Sequence, residues 1–150
     1  MLIVPFEATD QDEVRSLVLD GLAEHWGVID ESLNSDLADI AGSYANRCTL
    51  VGRRAGSPSI IATGTIVKRP GSSAEIVWLS VAATHRGQGI GRAVVRELLE
   101  RARSFGVDHV ICETLSAWTE VVGFWRSCGF EVTHRTVGAH GEDTWFGIEV

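Results

Sequence analysis

The sequence has few cysteines and no long hydrophobic run. Its three cysteines, Cys48, Cys112 and Cys128, are odd in number and widely spaced, and they match neither a zinc-binding nor a CxxC pattern. No apolar stretch approaches the roughly 20 residues that a membrane-spanning helix needs, and the N-terminus lacks the basic start and apolar core of a signal peptide. The sequence therefore predicts a cytoplasmic protein with reduced thiols, no metal ion and no membrane partner.

The sequence also has few positively charged residues. The chain has 13 Lys and Arg against 20 Asp and Glu, which gives a formal net charge of −7. This balance repels the phosphates of nucleic acids and is compatible with a cationic substrate. With 150 residues, of which 45% are hydrophobic, the chain is predicted to form a single globular domain that spans residues 1–150.

Hydrophobic spacing and turn residues predict the order β-α-α-β-β-β-α-β-α-β-β, a mixed α/β sheet. The first helix is predicted to begin after Thr9 as its N-cap and to end before Gly27. The predicted strands are 2–6, 48–53, 59–68, 74–81, 109–114, 130–137 and 144–150, and the later predicted helices are 35–44, 89–104 and 119–128.

The most specific feature is a glycine loop at 86–91, Arg-Gly-Gln-Gly-Ile-Gly, which follows a strand and opens the most amphipathic helix. Glycines let backbone N–H groups approach an anion, and the N-terminus of the helix adds partial positive charge. Arg86 and Arg92 flank the loop, so a pyrophosphate is the expected occupant. Two alternatives are a plain glycine-rich turn and a dinucleotide fold, although Arg92 stands where the third glycine of the GxGxxG fingerprint would be.

The Arg-x-x-Gly-x-Gly spacing of Arg86, Gly89 and Gly91, after the Leu-x-Val strand end at 79–81, resembles the acetyl-CoA-binding motif of the GCN5-related N-acetyltransferase (GNAT) superfamily. The segment 123–130 is similar to the later helix-to-strand motif of that family, which ends in Gly-Phe. The resemblance implies a mixed, mostly antiparallel sheet of about six to seven strands flanked by about four helices. It also implies acetyl-CoA as cosubstrate and an amine as acceptor. A homodimer is compatible with the resemblance.

The resemblance assigns cofactor binding mainly to backbone groups. A pantetheine arm would pair with the strand end, and the pyrophosphate would lie on the loop. The residues implied are Leu79, Val81, Arg86, Gly87, Gln88, Gly89, Ile90, Gly91 and Arg92.

The residues implied in catalysis depart from the commonest pattern of the family. Many members place a tyrosine general acid where this chain has Trp125, and an indole N–H cannot act as an acid near neutral pH. The run that begins at Glu75 resembles the strand of coactivator-type histone acetyltransferases, whose general base is a Glu at that position. Glu75 is therefore the implied base, in an apolar strand environment with Val77 and Leu79, and the Val81 amide is the implied oxyanion donor.

Other roles for these groups remain open at this stage. Glu75 can also be a plain carboxylate at a strand start, in which case an ordered water, Glu113, Glu24 or His25 would take the proton. A different class of protein, a CoA-binding sensor without catalysis, is consistent with the missing tyrosine acid, since Tyr44 is the only tyrosine of the chain.

The acceptor is predicted to bind at the segment 24–36, which carries several carboxylates and a tryptophan. Trp26, Asp30 and Glu31 can receive a cationic amine through cation–π contact and ion pairing. The alternative is a solvated loop with Trp26 in the core. The sequence does not identify the acceptor.

Overall fold

The structure, a computed structural model, describes residues 1–26, 40 and 47–150, and only the backbone of residues 25 and 26. The strands are β1 (Leu2–Pro5), β2 (Cys48–Arg53), β3 (Ile60–Lys68), β4 (Ser73–Val81), β5 (His109–Leu115), β6 (Glu131–Gly138) and β7 (Gly141–Glu149), and the helices are α1 (Gln11–Trp26), α2 (Ile90–Ser104) and α3 (Thr119–Ser127). This order confirms the predicted one wherever the chain is described. The predicted helix at 35–44 lies outside the described residues, apart from Ile40, which is helical and buried.

The strands form one seven-stranded sheet in the order β1-β2-β3-β4-β5-β7-β6. All neighbouring strands are antiparallel except β4 and β5, which run parallel. This confirms the mixed, mostly antiparallel sheet. The β4–β5 pairing covers only three residue pairs, from Ser73 with His109 to Glu75 with Ile111. Beyond Glu75 the two strands diverge, so the middle of the sheet opens into a wedge.

Helices cover both faces of the sheet, and their apolar sides pack on the apolar side chains that the strands direct to each face. Val94 and Leu98 of α2 are fully buried in a cluster with Val110 of β5 and Phe146 of β7. On the opposite face, Val14 and Val18 of α1 belong to a second cluster with strand residues. Burying such a side chain contributes about 1.5–3 kcal/mol, so these two clusters fix the central strands in place.

The start of α1 corrects one expectation. Thr9 is not the N-cap, because residues Ala8–Asp10 form a short 3-10 turn that is capped by Glu7. The Asp10 carboxylate accepts the Glu7 N–H at 2.9 Å and pairs with Arg53 at 2.6 Å. Because the buried Asp10 carboxylate has these two partners, the cap lies at Glu7, two residues before Thr9.

A β-bulge in β4 corrects a second expectation. Thr65 pairs with Val77 whereas Thr63 pairs with Ser80, so β4 carries one extra residue, and Trp78 has a φ of +55°. As a result Val77 and Trp78 both pack towards α1, and Leu79 packs with the α2 cluster. Leu79 therefore does not share the environment of Glu75, because the bulge reverses the alternation between them.

Candidate active site

The wedge between β4 and β5 opens into a cleft of about 980 Å³. Its walls come from the end of α1, from β4 and the glycine loop, and from β5 and the first turns of α3. The wall includes the predicted base and every predicted cofactor residue except Gln88, namely Glu75, Leu79, Val81, Arg86, Gly87, Gly89, Ile90, Gly91 and Arg92. Residues that the sequence spreads over eighteen positions therefore line one concave site.

The glycine loop has a backbone conformation that residues with side chains rarely adopt. Gly87 and Gly89 have φ values of +76° and +79°, and apart from each glycine and its two chain neighbours no heavy atom of the described residues lies within 4 Å of where their Cβ atoms would be. Gly89 is the N-cap of α2 and no side chain caps this helix. The N–H groups of its first turn are therefore available to an anion, as the sequence predicts.

Gly91 has a different reason to be glycine. A Cβ at this position would lie 3.1 Å from Cε1 of Phe124 and 3.4 Å from Cγ2 of Val81. The missing side chain lets the first turn of α2 approach both β4 and α3. The loop is thus held against the end of the strand whose backbone is the predicted pantetheine partner.

The Arg86 side chain joins three parts of the cleft. Its Nη2 donates to Glu24 Oε1 at 2.9 Å, its Nη1 donates to Glu24 Oε2, and its Nε donates to the Val81 carbonyl at 3.1 Å. The sequence predicts this guanidinium beside the anion, but here Glu24 of α1 balances its charge. Arg92 is exposed in the first turn of α2, and the side chain of Gln88 accepts a hydrogen bond from Arg54.

Glu75 lies at the inner end of the cleft, at the last β4–β5 pair. It is 8% exposed, and its Oε1 accepts hydrogen bonds from Nε and Nη2 of Arg69 at 3.0 and 2.8 Å. Arg69, which also lines the cleft, was missed by the sequence reasoning. The available signal was the tight turn after it: the β3–β4 hairpin sets Arg69 beside Ser73, diagonally across from Glu75.

Glu113 is a second carboxylate on the same wall, on β5. Burial and the charges of Asp143 and Glu75 raise the pKa of Glu113, and the Arg69 guanidinium opposes that rise. Glu75 and Glu113 therefore lie within electrostatic reach of each other. A carboxylate with a raised pKa is a better proton acceptor near neutral pH.

Trp125 occupies the place of the missing tyrosine and is a packing residue. It is 5% exposed, and its ring meets those of Phe124 and Phe130 edge-on at centroid distances of 5.3 and 5.1 Å. It also contributes to the inner wall of the cleft. Among the described residues that line the cleft there is no tyrosine hydroxyl, and Tyr44 lies outside the described residues.

Of the predicted acceptor residues, Asp30 and Glu31 lie outside the described residues, and only the backbone of Trp26 is described. Within the described residues no group of three or more His, Cys, Asp or Glu side chains is placed to hold a metal ion. None of the helices in that part of the chain is long and apolar enough to cross a membrane.

Comparison with known proteins agrees with this geometry. N-acetyltransferase 8B of Homo sapiens is 32% identical over 115 residues, which cover 72% of this chain and 50% of that protein. Glucosamine 6-phosphate N-acetyltransferase 1 of Oryza sativa subsp. japonica is 28% identical over 144 residues, covering 92% of this chain and 86% of that protein. The chain spans about half the length of the N-acetyltransferase 8 relatives it matches.

Solved structures share the fold at low sequence identity. A GNAT-family acetyltransferase from Staphylococcus aureus Mu50 has a TM-score of 0.86 at 14% identity, over 99% of this chain and 98% of that one. An aminoglycoside 6'-N-acetyltransferase complexed with coenzyme A has a TM-score of 0.78 at 16% identity, over 99% and 97%. The family model described as the acetyltransferase (GNAT) family matches residues 12–130. The chain therefore belongs to the acetyltransferase (GNAT) family.

Proposed function

We propose that this protein is an N-acetyltransferase that transfers an acetyl group from acetyl-CoA to a primary amine. One observation carries the proposal: a single cleft has an uncapped helix N-terminus behind a glycine loop at one end and a buried carboxylate, Glu75, at the other. The names of the relatives, N-acetyltransferases of several kinds, support the same reaction.

The residues of the cleft fit acetyl-CoA, which would supply the activated acetyl thioester. We assign the pyrophosphate to the backbone N–H groups from Gly87 to Arg92, with the Arg92 side chain adding charge. The side chains of Arg86 and Gln88 are engaged elsewhere, so these two residues would act through their backbone. Among the described strands, β4 has no partner on its β5 side beyond Glu75, so its backbone up to Val81 can pair with an amide-containing arm.

The acceptor must lose a proton before it attacks, since an alkylamine is protonated at neutral pH. We assign this proton to Glu75, as the sequence predicts, because it is the buried carboxylate where the wedge begins. The N–H of Val81 is the proposed donor to the oxygen on which negative charge develops. No side chain is assigned as a general acid.

We propose a cationic amine as the acceptor. Besides Glu75 and Glu113, the cleft wall has the glutamates Glu24 and Glu120, and it also has four arginines, so the support for this proposal is the net charge of the whole chain, −7. Trp26, Asp30 and Glu31 remain the acceptor contacts predicted from the sequence. The cytoplasmic location, the single domain and a homodimer likewise stay predictions.

Two measurements test the proposal. Isothermal titration with acetyl-CoA and with NAD separates it from a dinucleotide-binding protein, because only acetyl-CoA should bind. A panel of primary amines, including diamines, amino sugars and peptide amines, is then monitored for release of CoA. Amine-dependent release of CoA supports the transferase, and binding of NAD alone would refute it.

A sensor without catalysis is the second candidate. The observation in its favour is the packed tryptophan, Trp125, at the position where the resemblance implies a tyrosine acid in many members of the family. Tight binding of acetyl-CoA with no CoA release for any amine in the panel would favour this sensor.

A further inference from the structure

The inner end of the cleft holds one arginine against two carboxylates. Arg69 extends from the β3–β4 hairpin, Glu75 lies on β4 and Glu113 on β5, and all three line the cleft. The charge of Glu75 raises the pKa of Glu113 and that of Arg69 lowers it, so the three charged groups act on one another. Arg69 is therefore placed to influence both carboxylates.

The hydrogen bonds divide the two oxygens of Glu75 into different roles. Both Arg69 N–H groups donate to Oε1, and no described residue donates to Oε2. The Glu75 side chain is 10% exposed, and no fully buried side-chain oxygen or nitrogen in the described part of the chain lacks a hydrogen bond. Oε2 therefore keeps contact with the open space of the cleft.

We propose that Arg69 is a positioning residue for the acetyl transfer: it holds Glu75 by Oε1, so that Oε2 faces the acceptor, and it balances the adjacent charges of Glu75 and Glu113. The inference rests on the proposed transferase function. In the step that Arg69 serves, the N–H bond of the ammonium breaks, a bond from hydrogen to Glu75 Oε2 forms, and the electron pair stays on nitrogen for the attack.

The other charged groups around Glu75 do not replace Arg69. Glu24 of α1 is paired with Arg86 at the other end of the cleft, and Asp143 of β7 adds negative charge near Glu113. Arg47 also lines the cleft, but Glu75 makes its ion pair with Arg69. Removing the Arg69 guanidinium would therefore leave two neighbouring carboxylates with less compensation.

The test compares Arg69→Met and Arg69→Lys with Lys68→Met, a matched control. Lys68 is the adjacent exposed cation of the hairpin and does not line the cleft. For Arg69→Met we expect kcat at pH 7 to fall about tenfold, with the KM for acetyl-CoA unchanged. The acid limb of its pH profile should move up by about one pH unit, the usual effect of losing an opposite charge. Arg69→Lys should keep the limb near its wild-type pH, and Lys68→Met should match wild type throughout.

A titration of the resting protein supplies a readout that does not depend on turnover. Carbon-detected NMR of the glutamate carboxyl groups should show Glu113 titrating at higher pH in Arg69→Met than in wild type, because the Arg69 charge that lowers its pKa is gone.

The outcomes separate the two proposals. A wild-type protein that acetylates no amine refutes the proposed function, whatever the titration shows. An active wild type whose profile and carboxyl titrations are unchanged by Arg69→Met overturns the role of Arg69. An equal loss of activity in Arg69→Met and Lys68→Met would also overturn it, since it would point to damage of the hairpin alone.

Discussion

The two ends of the cleft are built in different ways. The glycine loop is one continuous segment, and it offers backbone N–H groups whose positions follow from two left-handed glycines and a helix start. The opposite end is made of side chains from a hairpin and two strands, Arg69, Glu75 and Glu113. The first end depends on backbone conformation, whereas the second depends on side-chain charge and on strand register. Substitutions should therefore affect binding at one end and chemistry at the other.

The bulge in β4 separates these two ends. Before it, Glu75 and Val77 share the α1 face, and after it Leu79 and Val81 pack with the α2 cluster. An unbulged strand would turn the residues near the loop towards the other face. The bulge thus allows one strand to present a carboxylate at one end and a cofactor-binding edge at the other.

The largest expected effect is a loss of catalysis, caused by a substitution at the Glu75 end of the cleft, that leaves acetyl-CoA binding unchanged. Glu75→Gln keeps the shape of the side chain but removes its basic oxygen, so kcat should fall by about 10²–10⁴-fold. The affinity for acetyl-CoA, measured by isothermal titration, should stay within twofold. Glu100→Gln is the control, because Glu100 is exposed on α2 and pairs with Arg103 outside the cleft. A Glu75→Gln protein with more than about a third of the wild-type kcat would assign the proton to another group.

The next largest effect is a loss of stability, caused by a substitution beside the β4 bulge that separates the two ends. A Cβ at Gly64, opposite the bulge, would lie 2.9 Å from Cδ1 of Leu98 and 3.1 Å from Cδ1 of Leu79. Gly64→Ala should therefore destabilise the fold by about 1–3 kcal/mol, as overpacking usually does. Thermal unfolding measures this loss, and Gly52→Ala, whose Cβ would meet Ala62 at 3.4 Å, should lose less. Equal melting temperatures for the two variants would show that the bulge does not need this glycine.

A substitution in the glycine loop should weaken acetyl-CoA binding without acting on the Glu75 end of the cleft. Gly89 has a φ of +79°, so Gly89→Asn tests mainly the backbone, since asparagine tolerates this conformation best. Gly89→Asp adds a negative charge at the helix N-terminus and should weaken acetyl-CoA binding at least tenfold, about 1.4 kcal/mol. Isothermal titration of both variants separates charge from strain. If Gly89→Asp binds as tightly as wild type, the pyrophosphate is not at this loop.

The contrast between the ends also explains how far the sequence could be interpreted. The loop and the strand order were predictable because glycine spacing and hydrophobic periodicity are local signals. The bulge at Trp78 was not, since an extra residue in a strand leaves no local pattern in an apolar run. The Arg69–Glu75 pair depends on the register of the hairpin, and the cap at Glu7 depends on Arg53, 43 positions beyond Asp10. Contacts of this kind are decided by tertiary packing.

The smallest expected effect is on the pH dependence of stability, and it tests the charge at the Glu75 end of the cleft. The pKa of Glu113 is raised in the folded protein above its ordinary value of 4.5, so the folded state holds this proton more tightly than the unfolded chain does. The resulting stabilisation is full below that ordinary value and is lost as the pH rises through the folded pKa. At pH 7 the ionised Glu113 therefore opposes folding, and Glu113→Gln should raise the melting temperature. We expect a rise of about 1–2 °C, because solvent screens this exposed group.

The gain from Glu113→Gln should shrink towards zero as the pH falls to about 4, where the carboxyl is protonated in both states. Glu131→Gln is the matched control, since Glu131 is an exposed glutamate of β6 outside the cleft, and its melting temperature should follow wild type at each pH. A gain for Glu113→Gln that is constant from pH 4 to pH 7 would mean that the carboxyl charge is not its cause. A gain that grows with pH would locate the uncompensated negative charge at the chemical end of the cleft, where a cationic amine would relieve it.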